Sequence, residues 1–213
     1  MTGRIVELSV EGNRRRTRLS PEDRRAQLLH CALAAFAEHG IARATHSHVA
    51  ARAGVSIPAV YSYFRTRDDL VAATLAEVET FLDGLLADSL ARKTLPADEA
   101  LTILARLFTD SVEEQPDRIR VWLDWSTGTG SDRWPAYLEV LGRLHHAAEA
   151  TIRRGQKAND IPAWINPKAA ARIFIGGGHT VALMKFAGAT KKEVDAALLQ
   201  LVGGATGWTR TPE

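Results

Sequence analysis

Four of the five residues at positions 14–18 are arginine: Arg14, Arg15, Arg16 and Arg18. Guanidinium groups at that density repel one another and attract a polyanion. Placed ahead of a DNA-reading unit, such an arm enters the minor groove, where A/T-rich narrowing deepens the negative potential. A solubilising tail, or one held by phosphates alone, has the same composition and stays open as an alternative. A second candidate is the stretch THSHVAARAGVSIPAVYSYF, residues 45–64. Its spacing predicts a short helix, a tight turn at Gly54–Val55 and a second short helix from Ser56, the arrangement of a helix-turn-helix. Val49, Ala50, Val55 and Val60 would form the seam between the two. Serine and tyrosine hydroxyls, with the N–H groups at a helix start, are phosphate donors, and the first residues of the second helix reach base edges. The candidate nucleic-acid contacts are therefore Thr45, His46, Ser56, Ile57, Pro58, Ala59, Tyr61, Ser62, Tyr63 and Arg67, with the four arm arginines. Short helix pairs also occur in all-α proteins that bind no DNA.

The elements that must position these groups read as helices throughout. Ser20 caps a first helix with Pro21 in its first turn, and Leu28, Leu29, Ala32, Leu33 and Phe36 give it an apolar face before Gly40 ends it. Thr66 caps a long fourth helix ending near Leu90, with Asp68 and Asp69 at the positive end of its dipole. A fifth helix opens at Pro96–Ala97–Asp98, Asp117–Asp124 is a short sixth, and Ser126–Arg133 reads as a loop. Trp134–Ala158, Pro167–Phe186 and Lys191–Gly204 complete about nine helices. Ile5–Val10 is the one strand-like run, and it has no partner. The expected fold is all-α, with a basic arm over residues 1–19, a helix-turn-helix unit over 20–67 and a helical body over 68–213.

Composition supports a division into two modules. The 213 residues carry a net charge of +2, but residues 1–67 hold eleven arginines against five acids, while the remainder is net acidic. A basic head on an acidic body suits a polyanion partner at one end. The single cysteine, Cys31, fits a reducing compartment and a buried apolar role. No apolar run approaches the ~20 residues of a membrane span, and the first eighteen residues lack a signal-peptide core, so a cytoplasmic protein is expected. No phosphate-loop, nucleophile-elbow or dinucleotide fingerprint is present. His145 and His146 are adjacent on a helix and cannot chelate together. Neither an enzyme, a metal nor a cofactor is expected. Gly176–Gly177–Gly178 is unusual inside a helix, at a cost of about 1 kcal/mol per glycine relative to alanine. Close helix approach or a ligand void would explain it.

The segments SPEDRRAQLLHCALAAFAEHG, THSHVAARAGVSIPAVYSYF and TRDDLVAATL resemble the N-terminal domain of TetR-family transcription regulators. RTRLSPEDR, FAEHGIARATH, YFRTRDDLV and VWLDWSTGT further resemble the LuxR/HapR/SmcR group of quorum-sensing regulators. Ser62 and Arg65 depart from it, standing where the group commonly has asparagine and proline, so the group's operator sequence does not carry over. The resemblance implies a homodimer on a pseudo-palindromic double-stranded operator, repressing and in some cases activating, with a small apolar or amphipathic effector. It places the dimer interface on the last two long helices, at Ala170, Ile173, Gly177, Val181, Met184, Val194, Leu198 and Leu201. It places a ligand pocket at Leu82, Leu85, Trp122, Leu123, Trp134, Leu138, Phe174 and Gly178. An effector-independent regulator of the same fold, or an all-α ligand-binding protein without DNA function, are the alternatives.

Overall fold

The computed structural model describes residues 19–90 and 94–207, and among these every regular element is a helix. The Ile5–Val10 run and the arm arginines Arg14, Arg15, Arg16 and Arg18 lie outside the described residues. Helices α1 (Pro21–His39), α2 (His46–Ala53) and α3 (Ile57–Tyr61) make a head. From it α4 (Arg67–Leu90) runs into a body of α5 (Ala97–Glu114), α6 (Pro116–Thr127), α7 (Trp134–Ala158), α8 (Pro167–Phe186) and α9 (Lys191–Thr206).

Local chemistry fixes the starts of these helices. Ser20 Oγ accepts the Asp23 N–H at 3.0 Å. Thr66 and Asp69 cap one another: the Asp69 N–H donates to Thr66 Oγ1 and the Thr66 N–H to Asp69 Oδ2, both at 3.0 Å. Thr190 and Glu193 repeat that reciprocal cap at the start of α9, and Asn166 Oδ1 accepts the Ala169 N–H at the start of α8.

Two helices outrun their sequence boundaries. α6 continues to Thr127, through residues whose composition predicts a loop. Trp125 is the reason: its indole is buried, lies edge-on to Trp122 at 6.2 Å, and donates to the Arg133 carbonyl at 3.1 Å. Burying that ring draws the last turn into the helix. α9 runs to Thr206 because Ala205 and Thr206 are buried and the Thr206 hydroxyl donates to the Val202 carbonyl at 2.9 Å.

One apolar core crosses the head–body junction. Leu28 and Phe36 of α1, Val49 of α2 and Val60 of α3 share it with Leu70 and Leu75 of α4, Trp122 and Trp125 of α6, and Tyr137 and Val140 of α7. A second core joins α5, α7, α8 and α9 through Leu101, Leu104, Ile152, Phe174 and Val202. Position 67/68 is therefore no break in packing.

Gly155 shows how closely the second core is packed. A Cβ there would stand 2.6 Å from Ala97 Cβ and 2.8 Å from Ile161 Cδ1. Ala97 opens α5, and its methyl cannot retreat without the backbone. Helix propensity alone favours Gly155→Ala by about 1 kcal/mol, whereas overpacking costs about 1–3 kcal/mol. The variant is expected to unfold several degrees lower than wild type in a thermal melt; an unchanged or raised Tm would mean that α5 and α7 separate freely.

Candidate nucleic-acid interface and internal cavity

The turn between α2 and α3 depends on Gly54, whose φ of 63° and ψ of 38° lie in the left-handed region. The chain reverses there, and the Val55 N–H donates back to the Ala50 carbonyl at 3.1 Å. Val49, Ala50 and Val60 are buried in the seam, with Val55 half-buried beside them. That packing turns Ser56, Ile57, Pro58, Tyr61 and Ser62 outward, while Thr45, Ala59 and Tyr63 are half-buried. Ile57 and Tyr61 are 44% and 47% exposed, a large apolar and aromatic outlay on a helix of five residues. The Ser62 hydroxyl donates to the Ala59 carbonyl at 2.7 Å, so only its acceptor lone pairs face outward.

Two expected phosphate contacts are used inside the head instead. His46 is only 4% exposed, and its Nε2 sits 2.8 Å from the Phe64 carbonyl oxygen. A carbonyl only accepts, so Nε2 carries the proton and donates. The His46 ring also lies parallel to the Tyr61 ring, centroids 4.0 Å apart and 9° between planes. His46 thus sets the orientation of Tyr61 and cannot itself meet a phosphate through its side chain. Arg67 is committed as well: Nε donates to the Ala44 carbonyl at 3.0 Å and Nη2 to the Ile41 carbonyl. Its guanidinium latches the α1–α2 loop, and the residue is half-buried. Arg65, by contrast, is an exposed cation just past α3 that the sequence reading did not place among the contacts.

The same loop is tied to the body. The Ile41 N–H donates to Asp124 Oδ2 of α6 at 2.7 Å. Arg133 pairs with Asp68 at 2.8 Å, holding the loop after α6 against the start of α4.

Inside the body lies an apolar cavity. Of the expected pocket residues, Leu82, Leu85, Trp122, Phe174 and Gly178 line it. Leu123, Trp134 and Leu138 do not. Leu123 is one position past Trp122, about 100° around α6, and packs with Val112, Ile119 and Ala182. Trp134 stacks on Tyr137 at 4.9 Å, and Leu138 is 46% exposed on the outer side of α7. Further walls come from Leu104 and Phe108 of α5, Leu144 of α7 and His179 of α8. Leu101, Leu104, Ala105 and Phe108 recur at three- and four-residue spacing, a signal present in the sequence that marks an inward face but not a cavity. The interior volume is about 50 Å³. Among its lining groups, Thr109 donates its hydroxyl to the Ala105 carbonyl at 2.7 Å. Burial holds the His179 imidazole pKa below its ordinary value.

The expected dimer residues divide differently from expectation. Ala170, Val181 and Val194 belong to the intrachain core, and Leu198 and Leu201 line the cavity. Gly177 takes the Leu201 side chain so closely that a Cβ would clash with its Cδ1. Met184 is half-buried; Ile173 alone among the eight is open, at 68%. Apolar residues occupy both sides of α8, so periodicity could not tell the inner from the outer face. The outward apolar face holds Ile173 and Leu183 of α8 with Leu199 of α9, and exposed Gly176, Thr180 and Ala196 continue it. The glycine run serves three surfaces: Gly176 the open face, Gly177 the α8–α9 crossing and Gly178 the cavity.

The model of the bacterial regulatory proteins of the tetR family matches residues 28–74, from α1 into α4. The chain is 29% identical to the HTH-type transcriptional regulator LuxR of Vibrio harveyi over 189 residues, 89% of this chain and 90% of that one. It is 37% identical to the HTH-type transcriptional regulator TtgR of Pseudomonas putida over 158 residues, 70% of this chain and 75% of the relative. A TetR-like transcriptional regulator from Rhodococcus sp. RHA1 has the same fold, with a TM-score of 0.74 at 22% identity, covering 88% of this chain and 96% of that one. With a helix-turn-helix at its head and relatives matched into the helical body, this chain belongs to the TetR family of transcriptional regulators and resembles its LuxR group.

Proposed function

We propose that this regulator binds a pseudo-palindromic operator as a homodimer and that a small apolar ligand in the body alters its hold on DNA. In this reading residues 20–67 read the operator, residues 1–19 reach the minor groove, and residues 68–213 dimerise and sense. The protein would work in the cytoplasm, at the nucleoid. The observation that carries the reading is the outward face of α3, where Ile57 and Tyr61 stand open beside Ser56, Pro58 and Ser62. Apart from the His46 ring on one side of Tyr61, no described residue is seen to cover that face, and a helix of this size fits the major groove. A single half-site gives little affinity, and two require two heads held ~34–36 Å apart by a two-fold axis. The exposed Ile173, Leu183 and Leu199 are apolar groups available to such an axis. Coupling would pass through α4 and α6, each of which has one end in the head's core and a side chain in the cavity wall.

Selection of bound sequences from a random duplex pool at near-physiological salt is expected to return a pseudo-palindrome with A/T-rich positions. Replacing Arg16 and Arg18 by alanine should weaken the A/T-rich sites selectively. No enrichment, with binding that vanishes as salt rises, would sink the operator reading.

For the dimer, Ile173→Glu combined with Leu183→Glu should convert the sedimenting species to a monomer with an unchanged far-ultraviolet helical spectrum. The operator affinity of that variant should fall by at least a hundredfold. A double variant that still sediments as a dimer would move the interface elsewhere. Asp124→Ala removes the acceptor for the Ile41 N–H, whereas Asp124→Asn retains a carbonyl oxygen there. Operator affinity should drop several-fold in the alanine variant and recover in the asparagine one. Three equal affinities would show that this contact does not set the head.

A further inference from the structure

Among the described residues His179 is the one ionisable side chain on the cavity wall, and its two ring nitrogens are in different situations. Nδ1 lies 3.4 Å from the Ile175 carbonyl oxygen one turn back along α8. A carbonyl has no proton to give, so Nδ1 carries the hydrogen and donates. In a neutral ring that leaves Nε2 with a bare lone pair. Nε2 is shielded from solvent and has no hydrogen-bond partner among the described residues. An acceptor held without a partner in an apolar enclosure is costly, and a molecule that supplies a donor removes that cost.

The rest of the wall narrows the choice. The other polar side chain there, Thr109, spends its hydroxyl proton on the Ala105 carbonyl. The site thus offers a strong acceptor and no free side-chain donor, so a ligand whose polar group only accepts gains nothing from it. Among the described residues no arginine or lysine lines the cavity to neutralise a carboxylate, and no aspartate or glutamate to neutralise an amine. Trp122, with its ring centroid 5.5 Å from that of His179, adds a flat aromatic surface beside the acceptor. The enclosed space is small, about 50 Å³, so even a single-ring body enters only as the wall gives.

We infer that the cavity selects small, neutral, apolar molecules bearing one hydrogen-bond donor, such as a phenol or a short alcohol, whose O–H donates to His179 Nε2. The inference rests on the proposed role of the cavity as the sensing site. His179 acts as the specificity-determining residue, since it distinguishes a hydroxyl from a methyl group on the same ring.

Phenol and toluene, which present O–H and CH₃ on one body, are the probes, with benzoate as the charged control. Their dissociation constants are measured by calorimetry on the full chain, as wild type and as His179→Phe. Toluene is the more hydrophobic molecule, so the quantity to read is the phenol-to-toluene affinity ratio. That ratio should fall about five- to tenfold in the variant, the size of one hydrogen bond. In wild type, phenol and not toluene should also move the His179 Nε2 nitrogen resonance away from its free-acceptor position. This second readout requires no variant to fold. Toluene and phenol binding with the same ratio in both proteins, and no Nε2 shift, would overturn the inference while leaving the cavity as a ligand site. Benzoate binding more tightly than phenol, with the imidazole protonated, would overturn the neutral-donor class. If none of the three binds, the inference falls together with the cavity's sensing role.

Discussion

The head cannot enclose a core by itself. Its three helices include one of five residues, and the core that shields Phe36, Val49, Val60 and Phe64 is shared with other elements. Those elements are the first half of α4, through Leu70, Val71 and Leu75, and α6, through Trp122 and Trp125. Much of the structure follows from this borrowing. α4 has 24 residues and is therefore about 36 Å long, enough to lie under the head at one end and line the cavity with Leu82 and Leu85 at the other. A close-packed interior transmits displacement rather than absorbing it. Movement of α4 or α6 at the cavity would consequently be felt beneath α1, against which both helices pack, without a separate linking device.

Polar contacts add direction to this shared core more than strength. Arg143 of α7 pairs with Glu79 and with Asp83 of α4, the latter at 3.4 Å, and Arg118 of α6 pairs with Glu77 at 3.6 Å. All are at least partly solvated, and pairs of that kind contribute at most about 1 kcal/mol each. The shorter-range bonds at the junction are more specific. Asp124 takes one backbone N–H of the α1–α2 loop, while Arg67 takes two of its carbonyls. Together they satisfy backbone groups that would otherwise face the head–body seam unpaired. The loop is thereby fixed from both sides, by α4 and by α6.

The helices were legible in the sequence because their punctuation is local. Ser20, Thr66, Gly40 and Gly54 act within one turn of themselves, and no distant residue alters what they do. What stayed illegible is the rotational phase of a helix with two apolar sides. Leu198 and Leu201 have the spacing of an interface stripe, yet face inward to the cavity, and Ile173 has the same chemistry but faces out. Only the placement of α5 and α7 decides between them. His46 and Arg67 are a second kind of miss. Polar side chains at a helix start are donors for phosphate by default, and these two were claimed first by carbonyls of residues 18 to 26 positions away. Trp125 is the opposite case, a buried ring that overrode a loop-forming composition.

The position of α9 joins the remaining pieces. Its inner side supplies Leu198 and Leu201 to the cavity wall, and its outer side presents Leu199 and Ala196 beside Ile173 and Leu183 of α8. Gly177 brings the two helices together so that Leu201 fills the space a side chain would take. A ligand larger than the resting volume must displace this wall, because Leu201 has no room to retreat toward α8. The displaced surface would be the one proposed to meet a second copy, and α4 forms the opposite wall. One small molecule would thus press at once on the helix that carries the head and on the pair that sets the spacing between heads. For a two-headed reader of a fixed half-site separation, those are the two variables that decide affinity.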